Sequence, residues 1–363
     1  MKKYILILLC IYAFCLCGCT YEKFLPEEPK SILTLENGYD NSDQLVATLV
    51  SAYEKIYDFY FDTGMGSCEF VFKQAGTDII DGKISQPHYS NITAQWSTSS
   101  SFVKTIWDDY YKIISYSNIV LLKADDVTWK SADEKTRVVA EARFLRGYGY
   151  LRLAEIFGAV PIVDQFSEEA KFDFVRDPRA DVYSFAIEDL KSAYANLPLK
   201  SSNEDYGRAN KGAAGFYLSE AYLALGTETN SQEHFNQAAT YAKEVIALHP
   251  MMTQRFGARL PGVSGSRNGI ANALEDGTVC SDLFVSDNVK SPSNTEAIWV
   301  APSAPDYTTY SANGSKGHRT IVLGMTPSIR SRAWAKQYDE GVGAPFKDNI
   351  SQKYGGVAYP YIH

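Results

Sequence analysis

Hydrophobic residues between Val138 and Pro161 recur with a helical period, and they cover two sides of the helix instead of one. When the segment is wound at about 100° per residue, one stripe holds Val138, Ala142, Leu145, Gly149, Leu153 and Ile156, and the other holds Ala140, Phe144, Gly147, Leu151 and Ala154. A surface helix carries one such stripe, whereas a helix that is apolar on most sides is buried. The pattern therefore predicts a buried helix packed between two layers, as in a stack of helical hairpins.

Signals for the two ends of this helix lie outside the stripes. Ser131 with Glu134 three residues later matches a capping box. Gly158 followed by Pro161 predicts the end, because glycine closes many helices and proline cannot continue one. Two glycines inside the helix, Gly147 and Gly149, each cost about 1 kcal/mol in helix propensity, so we expect a neighbouring helix to approach closely there.

Charged residues occupy two strips between the apolar stripes of the same helix. The first strip holds Glu141, Arg152 and Glu155, and Arg143 and Arg146 lie roughly opposite.

Two earlier helices are predicted by the same period. The first starts at Asn41 or Ser42, and its periodic residues are Leu45, Val46, Leu49, Val50, Tyr53, Ile56, Tyr57 and Tyr60. The second covers about residues 102–123.

An internal repeat follows the buried helix. Asp177-Pro178 is an N-cap and N1 pair that opens a further helix. Tyr183, Ala186, Leu190, Ala193 and Pro198 correspond, at one constant offset, to Phe235, Ala238, Ala242, Val245 and Pro250. Gly147, Tyr148, Phe157 and Gly158 correspond, at a second offset, to Gly215, Phe216, Leu225 and Gly226. The spacing around the second pair fits a tetratricopeptide repeat.

These patterns predict a mainly α fold: a tetratricopeptide-like helical-repeat array with irregular, loop-rich insertions and a few short strands. Glu296–Val300 is the most strand-like run after Pro250. The predicted divisions are a lipoprotein signal peptide (1–18), a lipid-anchored tether (19–40), a helical-repeat region (41–250) with a loop insertion (64–101), and an irregular region (251–363).

The N-terminus has the features of an export signal. Lys2 and Lys3 precede an apolar run that is too short to span a membrane as a helix. The run ends in Leu16-Cys17-Gly18-Cys19, which resembles the bacterial lipobox, so Cys19 is the predicted lipid attachment site. An ordinary signal peptide with incidental cysteines is the alternative. A lipidated Cys19 predicts a protein that is held on a membrane by its lipid anchor.

Cysteine content and charge narrow the possibilities. Four of the six cysteines lie at or before Cys19, which leaves Cys68 and Cys280. Two cysteines make no disulfide framework, and whether they form a single bridge stays open. Removal of residues 1–18 takes away two lysines and no acid, so the formal net charge falls from −8 to −10. An acidic balance disfavours nucleic acid as a partner.

Several segments resemble the SusD-like (RagB/SusD) surface lipoproteins of Bacteroidetes glycan-uptake systems. They are the lipobox with FLPEEP, WDDYYKIISYSNIVL, EARFLRGYGYLRLAEIFGAVPIV, GRANKGAAGFYLSEAYLALG and NTEAIWV. The resemblance implies an array of tetratricopeptide helix pairs with an irregular ligand-binding region, and it covers residues 19 to about 300. It also implies a partner, a SusC-like TonB-dependent transporter, and an oligosaccharide or other nutrient ligand. The resemblance further implies an outer-membrane, cell-surface location and makes region 251–363 the ligand-binding region. Because family members carry two more helical motifs, we expect that region to be incomplete relative to the family.

Signatures of catalysis and cofactor binding are missing from the sequence. The histidines are scattered, no His-Glu-x-x-His occurs, and neither a nucleophile elbow, a P-loop nor a dinucleotide fingerprint appears. No cofactor or metal is predicted. Acid pairs occur at Asp78/Asp81, Asp108/Asp109, Asp125/Asp126 and Glu168/Glu169. A glycosidase needs two carboxyls about 5–9 Å apart, but neighbouring acids usually form solvated surface.

Aromatic residues are the main candidates for ligand contact, because sugar rings stack on aromatic faces while their hydroxyls need polar partners. The helical aromatics are expected in the core: Tyr53, Tyr57, Tyr110, Tyr148, Tyr183, Tyr222 and Phe235. Trp107 and Trp299 are also expected to be packed. The candidate ligand-binding residues lie in irregular segments: Asp78, Tyr89, Asn91, Trp96, Arg267, Tyr307 and Tyr310.

Three functions compete at this point. The first is non-catalytic binding of a glycan or other nutrient oligomer at the cell surface, followed by delivery to the transporter. The second is a lipid-anchored helical-repeat scaffold that binds protein, although such a scaffold would not need the long polar and aromatic insertions. The third is a surface glycoside hydrolase, which would release products from glycans.

Overall fold

The structure is a computed structural model, and it describes most of the chain between residues 38 and 300. The described residues are 38–61, 80–82, 101–166, 171–200, 207–257, 266–267, 270–271, 278–283, 288, 293–300 and 329–331. For residues 57–61, 80–82, 101–102, 266–267, 270–271, 281 and 329–331 the backbone alone is described. The helices and strands of these described residues belong to one compact unit, residues 41–363.

Six long helices follow one another along the described chain. They are α1 (Ser42–Phe61), α2 (Ser101–Lys123), α3 (Ala132–Phe157), α4 (Arg179–Asn196), α5 (Lys211–Thr229) and α6 (Gln232–Leu248). Each helix packs mainly on its neighbours in sequence, and α3 also contacts α1 and α5. A short helix, α7 (Val279–Leu283), follows. This order confirms the predicted mainly α, helical-repeat fold.

Short antiparallel strands form two pairs outside the helices. Strand β1 (Ile80–Gly82) pairs with β4 (Ile329–Ser331), and β2 (Ser266–Arg267) pairs with β3 (Ile270–Ala271). The strand expected at residues 296–300 is wrong, because this run has no strand partner in the described part of the chain. Its backbone forms hydrogen bonds with side chains instead: Asn294 Oδ1 accepts from Ala297 N at 3.1 Å, and Asn210 Nδ2 donates to Ile298 O at 2.7 Å.

The ends of α3 agree with the cap signals. Ser131 Oγ accepts from Glu134 N at 3.1 Å, and the Glu134 carboxylate accepts from Lys130 N at 3.0 Å. At the other end Gly158 has a φ of +74° and donates its N–H to Ala154 O at 3.0 Å. Helix α1 starts in a similar way, since Asn41 and Gln44 exchange side-chain to backbone hydrogen bonds of 3.3 and 3.1 Å.

The two predicted stripes of α3 are buried, and its charged strips are largely buried too. Both stripes contact neighbouring helices, with Gly149 against α2 and Gly147 against α4. Glu141, Arg146 and Arg152 are also buried. Burial of three charges in one helix requires internal partners, and the partners come from α1, α2, α4, α5 and the connecting loops.

The start of α4 differs from the expectation. Asp177 makes no side-chain cap, and the N-cap residue is Pro178. The Asp177 carboxylate accepts from Ile162 N at 2.7 Å instead, while its own N–H donates to Val160 O at 3.1 Å. The carboxylate therefore holds the α3–α4 connection rather than the helix end.

The internal repeat is confirmed at some positions and wrong at others. Gly147 and Gly215 both admit a neighbouring helix, at α4 and at α6 respectively. The correspondence between Gly158 and Gly226 fails, because Gly158 ends α3 whereas Gly226 lies inside α5. Tyr148 is fully buried, yet its counterpart Phe216 is 45% exposed.

Most of the aromatic residues expected in the core are found there. Tyr110, Tyr148 and Tyr183 are fully buried, and Tyr53, Tyr222 and Trp107 are partly buried against the core. Phe235 is half-buried, and the side chain of Tyr57 lies outside the described residues. Val50 was expected on the packed face of α1, but it is 51% exposed. Among the described helices, α1 packs mainly on α2 and also contacts α3. None of the helices in the described part of the chain has the length and apolar character needed to cross a bilayer.

Candidate functional site

The predicted ligand contacts fall mainly outside the described residues. This holds for Asp78, Tyr89, Asn91, Trp96, Tyr307 and Tyr310, and also for the lipid attachment site Cys19. Arg267 lies in β2, opposite Ile270 of β3, with its backbone alone described. Cys280 is exposed in α7, whereas Cys68 lies outside the described residues. These residues therefore stay predictions.

Backbone pairing brings the two irregular regions together. Strand β1 lies in the 64–101 insertion and β4 lies in region 251–363, and Asp81 stands opposite Arg330 in their register. Asp78 precedes β1 by two residues in the sequence. The described contact between the two regions is therefore the pairing of residues 80–82 with residues 329–331.

Trp299 attaches region 251–363 to the helical array. Its ring packs edge-on against Phe144, Tyr148 and Tyr217, with ring centroids 5.2, 6.2 and 6.0 Å apart. Its indole N–H donates to Gly207 O at 2.8 Å. A buried Trp usually finds a partner for its N–H. Trp299 is therefore a packed residue, as expected from the sequence.

Asn210 adds a second attachment at the start of α5. Its Oδ1 caps the helix by accepting from Ala213 N at 2.9 Å, while its Nδ2 donates to Ile298 O at 2.7 Å. One side chain thus caps the start of α5 and also holds residues 296–300 against the helical array. Asn directly before a helical run is a recognisable N-cap signal, but its second contact lies 88 residues away and has no local signal.

A buried charged cluster links α1 to the same attachment. Tyr53 Oη donates to Glu141 Oε2 at 2.8 Å and accepts from Ala209 N at 2.9 Å, and Arg208 Nε donates to Glu141 Oε2 at 2.7 Å. Burial raises the pKa of Glu141, while Arg208 and Tyr53 act to lower it. Burial is also the largest cause of the raised pKa of Tyr53. The cluster holds α1, which leads into the 64–101 insertion, against α3 and the α4–α5 loop.

A second ion pair closes the base of the segment that carries Arg267. The carboxylate of Asp282 is fully buried and receives two hydrogen bonds of 2.9 Å from Arg255. It also accepts from Phe256 N at 3.1 Å. Asn288 Nδ2 donates to Phe256 O and Asp282 O at 3.0 and 2.9 Å. Arg255 and Phe256 are therefore held to Asp282 and Asn288, which lie on the other side of Arg267 in the sequence.

The remaining buried charges of α3 stabilise the helical array. Arg146 makes a two-pronged pair with Asp189 of α4 at 2.6 and 2.9 Å, and it donates to Asn118 Oδ1 at 2.9 Å. Arg152 pairs with Glu220 of α5 at 2.9 and 3.0 Å. Planar two-pronged pairs fix geometry as well as charge. Each of these arginines has its acidic partner within the helical array, so these ion pairs stabilise the fold.

The described acid pairs do not resemble a catalytic dyad. Asp108 and Asp109 pair with Lys104 and Lys112 within α2, and Asp125 and Asp126 pair with Lys135 and Lys123 at the surface. The pairs Asp78/Asp81 and Glu168/Glu169 have no described side chains. Among the described residues, no three His, Cys, Asp or Glu side chains are grouped as a metal site would require.

Sequence comparison assigns the chain to a family. The profile of a SusD-like family, described as "Starch-binding associating with outer membrane", matches residues 23–223, which is more than half of the chain. The chain belongs to the SusD-like family. The matched range includes α1 to α4 and most of α5, so it contains the helical array described above.

Individual relatives agree with the family assignment. SusD-like protein P25 of Formosa agariphila is 24% identical over 253 residues, covering 66% of this chain and 46% of that protein. SusD-like protein P2 of the same organism is 25% identical over 374 residues, covering 99% and 67%. A laminarin-binding SusD-like protein of known structure superposes with a TM-score of 0.51 at 27% identity, over 60% of this chain and 46% of that chain. The chain thus matches less than half the length of P25.

Proposed function

We propose that this protein is a non-catalytic binding protein for a glycan, held at the cell surface by a lipid on Cys19. The observation that carries the proposal is the SusD-like match over residues 23–223, in a family described as starch-binding and associated with the outer membrane. The similar laminarin-binding protein also supports a glucan as the ligand class. The binding residues that we propose are Asp78, Tyr89, Asn91, Trp96, Arg267, Tyr307 and Tyr310.

The organisation of the described residues supports a scaffold that presents irregular regions. Helices α1 to α6 build the core, and region 251–363 is fixed to it by Asn210 and Trp299. Helix α1, which leads into the 64–101 insertion, is held on α3 by the hydrogen bond from Tyr53 to Glu141. Binding residues are commonly carried by loops on a rigid scaffold. The described acid pairs are engaged with lysines, which favours binding over a surface hydrolase.

Delivery to a SusC-like TonB-dependent transporter is the second half of the proposal, and it rests on the family alone. A purely protein-binding helical-repeat scaffold remains the alternative. It predicts an interaction with the transporter without any affinity for glycans. Co-purification of the full chain with the transporter, in the presence and absence of oligosaccharide, separates these two predictions.

Calorimetry tests the glycan half directly. We expect the purified chain to bind neutral oligosaccharides from a panel that includes starch-type and laminarin-type glucans, and we expect no reducing ends to be released. Released product would favour the hydrolase. Absence of binding to every glycan, with the helical signal of circular dichroism intact, would favour the protein-binding scaffold.

A further inference from the structure

His249 is a buried histidine at the end of α6. The residue is 7% exposed, and among the described residues neither Nδ1 nor Nε2 has a partner of ordinary hydrogen-bond geometry. Leaving a buried polar group unpaired is unfavourable, so such a group in a folded protein has a physical reason. The glycan proposal gives His249 no role, so its position must be explained separately.

Three pieces of the chain meet at this ring. His249 ends α6, where its N–H donates to Val245 O at 2.9 Å. The ring occupies the space left by Gly212 in the first turn of α5, since a Cβ on Gly212 would lie 2.0 Å from Nε2. The backbone of Thr295 and Ala297 lies close enough to raise the pKa of the ring by hydrogen bonding, although neither contact has ordinary hydrogen-bond geometry. His249 is thus wedged between two helix ends and residues 293–300, which we name the docking segment.

The docking segment is held by contacts on both sides of the ring. Thr295 Oγ1 donates to Pro250 O at 3.0 Å, and the Glu296 carboxylate accepts from Met252 N at 3.0 Å. Further along, Asn210 Nδ2 donates to Ile298 O, and Trp299 packs on the core. The neutral ring therefore fills the joint between the helical array and the segment that leads into residues 301–363.

A positive charge on this ring would be poorly accommodated. Burial is the largest influence and lowers the pKa of His249, and Lys200 acts in the same direction. The backbone of Thr295 and Ala297 acts against them without reversing the shift. The docked joint consequently favours the neutral imidazole.

The other charged groups near His249 are of both signs. The first turn of α5 presents the positive end of its helix dipole, whereas the last turn of α6 presents a negative end. Lys211 lies in the first turn of α5, with its ammonium 4.6 Å from the centre of the Tyr194 ring. Glu296 is the acid of the docking segment, and its carboxylate is engaged with Met252 N.

We propose that His249 is a proton-sensitive latch: the neutral ring holds the docking segment on α5 and α6, and protonation releases it. The direction follows from linkage. The released ring has the ordinary pKa of about 6.5, so the docked state binds the proton more weakly than the released state. Docking is complete above about pH 6.5 and weakens as pH falls through the docked pKa. One proton changes the docking equilibrium at most about tenfold per pH unit.

Hydrogen exchange on the full chain tests the latch. Exchange in residues 293–300 is compared between the parent and His249→Phe at about pH 7.5 and about pH 5, which bracket the ordinary histidine pKa. A phenyl ring fills similar space and does not titrate. Because both proteins are measured at the same pH, the intrinsic pH dependence of exchange cancels. We expect the parent-to-variant rate ratio to rise several-fold at the lower pH, while α3 shows no such change.

His234→Asn is the matched control, since His234 lies at the other end of α6 and is half-buried. It should behave like the parent. Proton NMR titration of His249 in the parent needs no folded variant, and it should give a pKa below the ordinary value. Equal ratios at both pH values, stronger protection of residues 293–300 at low pH, or a His249 pKa at or above its ordinary value would each overturn the latch.

Discussion

Gly147 and Gly149 are two residues apart in α3, yet they make room for different helices. A Cβ on Gly147 would lie 2.9 Å from the backbone oxygen of Ala186 in α4. A Cβ on Gly149 would lie 3.1 Å from Ile114 Cγ1 in α2. One position is limited by backbone, which cannot move without shifting a helix, and the other is limited by a side chain that can adjust.

This difference predicts different outcomes for the same substitution. Gly147→Ala should lower the free energy of unfolding by about 1–3 kcal/mol, because overpacking against backbone forces a helix shift. Gly149→Ala should be close to neutral, since the gain in helix propensity of about 1 kcal/mol offsets a small movement of Ile114. Gly149→Leu should be destabilising by about 1–3 kcal/mol, because the larger side chain meets both Ile114 and Tyr110. Urea unfolding followed by circular dichroism measures all three, and equal stability of the two alanine variants would contradict the contrast.

The environment of Tyr150 predicts that the stability of the folded protein depends on pH in the alkaline range. Its hydroxyl donates to Val163 O at 3.0 Å and accepts from Val163 N at 2.6 Å, so it pins the α3–α4 connection. Burial raises the pKa of Tyr150 above its ordinary value. The folded state therefore holds this proton more tightly than the unfolded state. The associated stability is fully present below about pH 10 and is lost as pH rises through the folded pKa.

Tyr150→Phe isolates this contribution. The variant should lose about 1–3 kcal/mol at neutral pH, because Val163 N–H loses its partner, and its stability should fall less steeply above about pH 10. The comparison is Tyr116→Phe in α2, whose hydroxyl makes no hydrogen bond to the described part of this connection. Unfolding free energies measured at neutral and alkaline pH give both slopes, and identical slopes for Tyr150→Phe and the parent would refute the assignment.

Cys19 predicts a loss of membrane attachment on substitution. Cys19→Ala should abolish labelling by radioactive palmitate and release the protein from the outer-membrane fraction, because lipid anchoring depends on the acyl chains at that residue. Cys17→Ala is the matched control, and it should keep the label because alanine is usual at that position of a lipobox. Label retained by Cys19→Ala would end the lipoprotein interpretation.

Trp96 predicts a loss of affinity without loss of fold. If its ring stacks on a sugar, Trp96→Ala should cost about 2 kcal/mol or more, which is roughly thirtyfold in affinity. Trp299→Ala gives the contrasting result, because removing a ring packed on Phe144 and Tyr148 should lower stability first. Calorimetry with neutral oligosaccharides and circular dichroism measure the two effects. Full binding by Trp96→Ala would move the stacking surface elsewhere, with Tyr307 and Tyr310 the next candidates.

The sequence was sufficient wherever the signal lay within a few helical turns. The period of hydrophobic residues predicted α1, α2 and α3 to within a few residues, and Ser131 and Gly158 marked the ends of α3 correctly. The double stripe with Gly147 and Gly149 predicted packing on two sides. Such features depend on residues three or four positions apart, so they appear directly as a pattern in the sequence.

Tertiary structure decided how charges and loops are paired. Arg146 finds Asp189, 43 residues away, and Asn210 finds Ile298, 88 residues away. The Asp177 carboxylate accepts from Ile162 N instead of capping α4. The backbone of residues 296–300 bonds to the side chains of Asn210 and Asn294 instead of to a neighbouring strand. A buried charge or loop takes whichever partner the packed helices bring within hydrogen-bond distance. The sequence therefore determined the helices and the family, whereas the attachment of the irregular regions to those helices was set by contacts that no local pattern encodes.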